Sequence, residues 1–406
     1  MDSSTERQCY RMEQSVGGVL EMSKLTGAKC HPRLAGPQIR KVYETQRSAY
    51  NETKRISLVS SFLASLLVGN IASIDYTEAS GMNLFDLQSM QWSQQCLDAC
   101  APDLRKRLMP PIAANRLQGR IADYYVKRWN FRADCMIVAG MGAHCSAIAG
   151  VKLDDNWLVL TLGSYDAISM DFKQRPELHE AHVLCHPTKP HEFVGMLAFR
   201  NGSKLREDMC QLLANGDWDR FAQMLRDTPM GNEGHIAAHF PERGYYPFAK
   251  GTLRWTSDIN QMSQLAMEGV KSFPRPELEA RALIEGQMMH YRSVAVMCGF
   301  PIGPHSAAYR ARYAFYEYRE VNCNCRRCLM RRGRRPKLSY GTYFRQRTAG
   351  VPKLMATPTP GSDEIYTPLI DRYKSMCRLL GCQQSDSGHS SQQHLPSNES
   401  SLNLLY

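Results

Sequence analysis

The 406-residue sequence lacks a long, uninterrupted apolar run. Its longest apolar stretch, residues 59–72, is interrupted by three serines and one asparagine, whereas a membrane-spanning helix needs about 20 mostly apolar residues. The first residues, 1–14, are polar and charged, without the apolar core that a signal peptide carries. These absences predict a buried helix within residues 59–72 and a cytoplasmic protein.

A strong charge over the whole chain is also absent. The net charge of +11 arises almost entirely within residues 310–347, which contain twelve Lys or Arg and two Glu. The rest of the chain is close to neutral, so a basic surface is predicted for one short segment only. The 14 cysteines are scattered and accompany no secretory signal, which predicts mostly buried, reduced thiols rather than a disulfide framework.

Periodicity along the chain predicts an α/β protein. Helical spacing is present in residues 9–25, 56–68, from 201, around 218–225 and from 276, where Pro276 suits a first helical turn. Short apolar runs typical of strands occupy residues 135–139, 157–162, 167–172, 182–185 and 193–199. Strands followed by helices, twice over, predict two lobes.

The C-terminal quarter is expected to be less regular. Residues 310–351 show neither helical nor strand period and are predicted to form a basic, irregular insert. Residues 352–381 are predicted to form a helical segment, in which Ile365, Leu369, Tyr373, Met376 and Leu380 share one face. Residues 382–406 are rich in Ser, Gln, His and Asn, which is typical of a disordered tail.

Six segments along the chain form a recognisable series. They are residues 75–84 (DYTEASGMNL), 55–62 (RISLVSSF), 199–203 (FRNGS), 230–232 (MGN), 281–287 (RALIEGQ) and 356–361 (ATPTPG). These segments resemble the xylulose kinases of the FGGY carbohydrate kinase family. They follow one another in the family's order. The resemblance implies an actin-like, ribonuclease-H-like α/β fold of two lobes that close over ATP and D-xylulose. A magnesium ion would bridge the phosphates, and the product would be D-xylulose 5-phosphate.

The resemblance also implies the domain organisation. Residues 1–150 correspond to the sugar-binding lobe and residues 151–309 to the nucleotide-binding lobe. The family's Asp-x-Gly-Thr phosphate hairpin does not occur in the sequence, and a Gly-Gly-rich adenosine turn is not found after Gly286. We therefore expect the first lobe to be incomplete, and the adenosine site as well.

The resemblance places a catalytic aspartate where this chain has Ala143. The family's Gly-Asp-Asn corresponds to Gly142-Ala143-His144, and Ala149 and Gly150 follow at the family's distance. A methyl group accepts no proton, so no catalytic residue is assigned. Together with the missing hairpin and adenosine turn, this predicts a kinase activity that is impaired or absent. His144 could serve as a base, although a histidine tolerated in a disused pocket is the alternative.

The remaining candidate site residues also come from the resemblance. Arg33 and His144 would contact the sugar beside Ala143, while a solvated surface arginine is the alternative for Arg33. Gly163 and Ser164 would hold nucleotide phosphate through close backbone approach and a hydroxyl. Trp218 would lie by the base or, alternatively, pack in a helix interface.

The basic insert suggests two further hypotheses. Cys323, Cys325 and Cys328 have C-x-C-x-x-C spacing, one ligand short of a closed zinc site, and no metal site is assigned. Arginines interleaved with tyrosines are typical of nucleic-acid-binding segments. The alternatives to an impaired xylulose kinase are therefore a non-catalytic protein that binds polyanions through residues 310–347, or an incomplete gene product.

Overall fold

The computed structural model describes residues 2, 4–150, 158–163, 165–178, 180–200, 202–241, 250–256, 268–302 and 361–386. These residues form two compact units. Unit 1 contains the described parts of Met1–Val159 and Ser169–Leu197. Unit 2 contains the described parts of Leu160–Ile168, Ala198–Arg310 and Ala356–Tyr406. Each unit is therefore built from more than one segment of the chain.

Unit 1 begins with four helices: α1 (Glu6–Val16), α2 (Val19–Thr26), α3 (Ala35–Thr45) and α4 (Arg47–Glu52). The single helix predicted over residues 9–25 is wrong, because the chain breaks between α1 and α2. Gly17 and Gly18 have φ values of 102° and 111°, which glycine adopts without the steric cost of a side chain. The N–H of Gly18 donates to the carbonyl of Glu13 at 2.8 Å and closes α1.

Helix α5 (Val59–Val68) confirms the helix predicted in this region, but only one of its faces is buried. Ala64 and Ser65 are buried, whereas Val59 is 87% exposed and Phe62 54% exposed. A helix that is apolar on all sides is normally buried. The composition of α5 therefore gave no sign of which face would remain exposed.

The remainder of unit 1 up to residue 150 consists of short elements. They are α6 (Tyr76–Ala79), β1 (Phe85–Asp86), β2 (Gln91–Trp92), α7 (Gln94–Cys100), α8 (Leu104–Arg107), β3 (Leu117–Arg120), α9 (Asp123–Trp129), β4 (Met136–Val138) and α10 (Ala143–Gly150). Strand β4 confirms the strand predicted at residues 135–139 and pairs antiparallel with β3. Ala64 of α5 packs with Ile121 and Ile137 beside this pair.

A four-stranded sheet contains the four strands predicted after residue 156. They are β5 (Leu158–Thr161), β6 (Tyr165–Phe172), β7 (His182–Cys185) and β8 (Phe193–Arg200), in the order β5-β6-β8-β7. Strands β7 and β8 pair antiparallel, with His182 opposite Met196. Five consecutive residues of β6, starting at Asp166, are buried, so the strand is covered on both faces.

Unit 2 continues with helices and a second sheet. Its elements are α11 (Gly202–Ala214), α12 (Trp218–Arg226), β9 (Ile236–Phe240), β10 (Gly251–Thr256), β11 (Glu268–Gly269), α13 (Pro276–Met297) and α14 (Ser362–Asp386). The four helices are those predicted from periodicity. The antiparallel sheet, in the order β11-β10-β9, was not predicted. Leu369, Tyr373, Met376 and Leu380 of α14 are buried together with Ile236 and Phe240 of β9.

Several expectations fall outside the described residues. These are the basic insert with Cys323, Cys325 and Cys328, residues 352–360, and the tail from residue 387 onward. The prediction of buried thiols is confirmed where it can be examined, since nine of the ten described cysteines, all of them free, are buried. Within the described parts of both units, no helix has the length and apolar character needed to cross a membrane.

Candidate active site

The expected position of the catalytic carboxylate lies at the turn between β4 and α10. Gly140, Met141 and Gly142 lead into α10, whose first residue is Ala143. Ala143 is exposed, and its methyl group can neither accept a proton nor orient a hydroxyl. Residue 143 therefore supplies no proton acceptor through its side chain.

Two residues from other elements pack against this turn. A Cβ atom added at Gly140 would lie 2.5 Å from the backbone oxygen of Ser60, and one at Gly142 would lie 2.8 Å from Oε1 of Glu78. Both distances are too short for a real Cβ contact, so Gly140 is required by the backbone of Ser60, and a side chain at Gly142 would displace the carboxylate of Glu78. The Ser60 hydroxyl also donates a hydrogen bond to Oε2 of Glu78. Ser60 from α5 thus packs against Gly140, and Glu78 from α6 against Gly142, the residue that precedes Ala143.

Glu78 is one of two acids at the start of α6. Asp75 caps this helix and is fully buried, with Oδ2 accepting hydrogen bonds from the amide and the hydroxyl of Thr77 at 2.9 and 2.6 Å. Burial nevertheless raises the pKa of Asp75 to about 6. Burial, and then the charge of Asp75, raise the pKa of Glu78 to about 7. A carboxyl group with such a pKa can exchange protons near neutral pH.

His144 follows Ala143 on α10 and is half-buried. Burial lowers the pKa of its imidazole, which keeps the ring neutral at neutral pH. Its Nδ1 atom is buried without a hydrogen-bond partner among the described residues. The ring could therefore accept a proton chemically, but no hydrogen bond to Nδ1 from the described residues orients it. Its role in sugar binding stays a prediction.

Arg33 lies in the turn that precedes α3 and is half-buried. Its backbone N–H donates a hydrogen bond to Nδ1 of His31 at 3.3 Å. The start of α3 is fixed close by, because the N–H of Gly36 donates to the carbonyl of Met82 at 2.9 Å. This bond ties α3 to the segment 75–84 that includes Glu78. The sugar-binding role of Arg33 stays a prediction.

The expected phosphate-binding turn connects β5 and β6. The N–H of Gly163 donates to Oδ1 of Asp166 at 2.8 Å, and its carbonyl accepts from the N–H of Ser203 at 3.1 Å. The turn is thereby bonded to β6 on one side and to α11 on the other. Ser164 lies outside the described residues, so its contact with phosphate stays a prediction, as does that of Gly163.

Asp166 supports this turn, a role that was not predicted from the sequence. Its fully buried carboxylate accepts hydrogen bonds from Nη1 and Nη2 of Arg206 at 2.6 and 3.0 Å, and from the hydroxyl of Tyr291 at 2.5 Å. A Cβ atom at Gly202 would lie 1.9 Å from Asp166 Oδ2, so α11 can begin here only with glycine. The sequence signal for a buried carboxylate was the position of Asp166 directly before the largely apolar residues 167–170.

Trp218 is the first residue of α12 and is 51% exposed. Asp217 caps the helix by accepting hydrogen bonds from the N–H groups of Asp219 and Arg220 at 2.9 and 3.1 Å. The indole packs edge-to-face on Phe221 at 5.8 Å between ring centroids. The exposed part of the indole could pack against a planar base. Contact with the nucleotide stays a prediction.

A cavity of about 620 Å³ lies elsewhere in unit 1. Its described lining includes Arg40, Tyr43, Asp98 and Pro102, and contains none of the residues expected to bind sugar or nucleotide. Within the described residues, no group of three or more His, Cys, Asp or Glu side chains is placed to hold a metal ion. The turn at residues 140–143 is thus a candidate site because of its chemistry and not because of its volume.

The chain is similar to several known proteins. The FGGY family of carbohydrate kinases, N-terminal domain, matches residues 1–150. Xylulose kinase of Rattus norvegicus is 33% identical over 395 residues, covering 93% of this chain and 72% of that protein. The chain belongs to the FGGY family of carbohydrate kinases. Xylulose kinase 2 of Arabidopsis thaliana is 38% identical over 310 residues, covering 75% of this chain and 55% of that protein.

The fold of this FGGY kinase agrees with the family. The crystal structure of ligand bound xylulose kinase from Lactobacillus acidophilus matches with a TM-score of 0.75 at 16% identity, covering 93% of this chain and 78% of that one. The expected α/β sugar kinase fold is therefore confirmed. Membership of the family makes the chain a carbohydrate kinase, a phosphotransferase that uses ATP as co-substrate.

Proposed function

We propose that this FGGY kinase transfers the γ-phosphoryl group of ATP to D-xylulose and forms D-xylulose 5-phosphate. The observation that carries the proposal is the similarity to rat xylulose kinase over 93% of the chain, which extends through both units. A match confined to one motif would support only the phosphotransferase chemistry. Similarity along the whole chain supports the substrate class as well.

In this proposal Arg33 and His144 contact the sugar, while Gly163, Ser164 and Trp218 contact the nucleotide. Phosphoryl transfer depends mainly on positioning and on neutralising charge, so a turn held in place is useful in itself. The backbone of Gly163 is held by Asp166 and by Ser203. The half-exposed indole of Trp218 has an apolar surface available for the base.

We also propose that turnover is slow, because residue 143 is alanine and any base must reach the sugar from another position, and a misplacement of about 1 Å can cost about 10²-fold in rate. General bases contribute about 10²–10⁴-fold to such reactions. Kinases typically turn over at about 1–100 s⁻¹. The expected rate for this chain is therefore below about 1 s⁻¹.

Magnesium enters the proposal as the ion that accompanies ATP. Mg²⁺ keeps much of its hydration and is usually held by one or two carboxylates together with substrate phosphates. Such a site requires no dedicated cluster of protein ligands. When bound, the ion would neutralise charge on the transferred phosphoryl group.

The domain organisation belongs to the same proposal. We assign sugar binding to a lobe formed by residues 1–150, a boundary that the family match supports. We assign nucleotide binding to residues 151–309. The reaction is placed in the cytosol, since ten free cysteines among the described residues suit a reducing compartment.

The test is an assay of ADP release by the full chain with MgATP and a series of polyols and ketoses. We expect release that depends on D-xylulose and exceeds that with L-xylulose, D-ribulose and glycerol. Phosphorus NMR should identify the 5-phosphate. Equal turnover with every acceptor would contradict the substrate assignment, and rates of tens per second would contradict the predicted impairment.

A further inference from the structure

We infer that Glu78 is the general base of the sugar phosphorylation and takes the role that the Ala143 side chain cannot fill. The inference rests on the function proposed above, because it concerns the same reaction at the same turn. Three observations carry it: the position of the carboxylate, the way it is held, and the atom that it leaves available.

The position follows from the packing at Gly142. Oε1 of Glu78 would lie 2.8 Å from a Cβ atom on Gly142, the residue bonded to Ala143. Consecutive Cα atoms are about 3.8 Å apart. The carboxylate therefore reaches the residue adjacent to the one at which a proton acceptor is expected. Glu78 arrives from α6, so a carboxylate is supplied to the turn although residue 143 has none.

The carboxylate is held by one oxygen and has no hydrogen bond at the other from the described residues. The Ser60 hydroxyl donates to Oε2. Oε1, the atom nearer to Gly142, accepts no hydrogen bond from the residues that the structure describes. A sugar hydroxyl that approaches the turn can therefore donate to Oε1. The bond from Ser60 limits the rotation of the carboxylate while it does so.

The protonation state suits this role near neutral pH. Burial and the charge of Asp75 raise the pKa of Glu78 to about 7, so a large fraction of the group is ionised at physiological pH. A base with a pKa close to the working pH combines availability with proton affinity. Glu78 and Asp75 also oppose each other's ionisation, which favours uptake of a proton by Glu78 during the reaction.

Oε1 of Glu78 takes the proton from the attacking sugar hydroxyl, while that oxygen forms a bond to the γ-phosphorus of ATP. The bond between this phosphorus and the β–γ bridging oxygen breaks, and ADP departs with the electron pair. The proton on Glu78 is then released to water. The products are the sugar phosphate, ADP and one proton.

The first test compares Glu78→Gln with Glu52→Gln in the full chain. Glutamine keeps the size of the side chain and still accepts the Ser60 hydrogen bond, but it cannot take up a proton. Glu52 is an exposed carboxylate on α4 and provides the matched loss of charge. We expect D-xylulose-dependent turnover to fall about 10²-fold or more in E78Q and to be unchanged in E52Q. Unchanged turnover in folded E78Q would overturn the inference.

The pH profile gives a second readout, which also decides the matter if E78Q does not fold. For the wild type, kcat/KM should fall with unit slope as the pH decreases below about 7, because protonated Glu78 is inactive. Ser60→Ala removes a hydrogen bond to the charged form of Glu78. It should therefore raise the apparent pKa of this acidic fall in kcat/KM by roughly half to one pH unit. An apparent pKa that is unchanged in S60A would contradict the assignment of Glu78 as the titrating base.

Ala143→Asp separates this inference from the proposed function. With a carboxylate at residue 143, a further Glu78→Gln change should cost less than about tenfold, against about 10²-fold in the wild type. If A143D phosphorylates D-xylulose and the wild type does not, the substrate assignment stands and Glu78 is not the base. If neither protein uses D-xylulose, the proposed function itself is wrong and the inference fails with it.

Discussion

At the residue scale, the pair formed by Asp166 and Arg206 shows how burial changes the effect of a charge. The Asp166 side chain is inaccessible to solvent and that of Arg206 is 12% exposed. Lys204 and Asp208, on the same helix α11, also form a pair, but their side chains are 67% and 59% exposed. Removing one partner of a buried pair leaves an uncompensated charge away from water, whereas an exposed partner is simply hydrated.

We therefore predict that Arg206→Leu lowers the free energy of unfolding by about 3–5 kcal/mol. Asp166 would keep its bonds from Gly163 and Tyr291 but lose both bonds from the guanidinium. The measurement is urea unfolding followed by circular dichroism. Lys204→Leu, the matched control on α11, should cost less than about 1 kcal/mol. Equal losses in the two variants would show that burial is not the deciding factor.

The residues of the site divide into those that local sequence could predict and those that it could not. Ala143 and Gly163 were predicted because they lie within short motifs whose register is fixed by neighbouring residues. Glu78 and Asp166 also lie within motifs, but their roles depend on partners far along the chain. Asp166 and Tyr291 are separated by 125 positions. Contacts of this kind follow from tertiary packing, which periodicity does not encode.

At the scale of elements, α13 contains a glycine at a position where helix propensity argues against one. Gly286 lies in the interior of this 22-residue helix, where alanine would be favoured by about 1 kcal/mol. A Cβ atom there would lie 2.3 Å from the carbonyl oxygen of Ala237 in β9. The glycine is therefore explained by the close packing of the helix on the strand.

We predict that Gly286→Ala lowers the free energy of unfolding by about 1–3 kcal/mol in spite of its better helix propensity. The backbone of β9 cannot move aside as a flexible side chain would. Gly269→Ala in β11 is the control, because a Cβ atom there meets nothing within 4 Å. That variant should lie within about 0.5 kcal/mol of the wild type. Thermal melting of both proteins would decide, and a stabilised G286A would contradict the packing explanation.

The four strands after residue 156 and the helices of unit 2 were predictable because their apolar residues repeat with a clear period, whereas most of the short elements of unit 1, such as α3, α7 and β1, were not predicted. The final helix α14 is an example, since Leu369, Tyr373 and Met376 are buried as its spacing indicated. The sheet β9–β11 was missed for a physical reason. Strand β9 has the sequence IAAHF, and alanine is not favoured in strands. The strand forms because Ala237 allows α13 to approach, which is a tertiary cause.

At the scale of the whole molecule, buried ionisable groups set opposing pH dependences. Burial lowers the pKa of His182 in unit 1 to about 4 and that of His290 in unit 2 to about 3. These rings contribute stability above about pH 6.5 that is lost as the pH falls, since only the unfolded chain takes up protons there. The raised pKa values of Asp75 and Glu78 have the opposite effect. Their contribution to stability falls as the pH rises from about 4 to 7, because the unfolded chain releases these protons first.

His290 offers the clearest test of this balance. It is packed among Phe199, Phe240, Tyr291 and Tyr373, where a charged ring would have poor solvation. We predict that His290→Leu reduces the stability lost between pH 7 and pH 5 by about 2 kcal/mol relative to the wild type. Denaturant unfolding at several pH values measures the difference. Parallel pH curves for the two proteins would contradict it.

The two-lobed α/β organisation was predicted from the order of strand and helix patterns, and two compact units are present. The sequence did not indicate that residues 169–197 would join the unit formed by the N-terminal half. Local patterns identify elements such as β7 and β8 but not the unit against which they pack. That assignment depends on long-range contacts throughout the chain.

The four hydrogen bonds accepted by Asp166 have a consequence for how a nucleotide would arrive and leave. They fasten the backbone of Gly163 to α11 and α13, so Gly163 is held in place before the arrival of the nucleotide that we propose it contacts. Little conformational entropy is then lost on contact. If Gly163 contacts the nucleotide as proposed, its movement on product release would be coupled through Asp166 to α11 and α13.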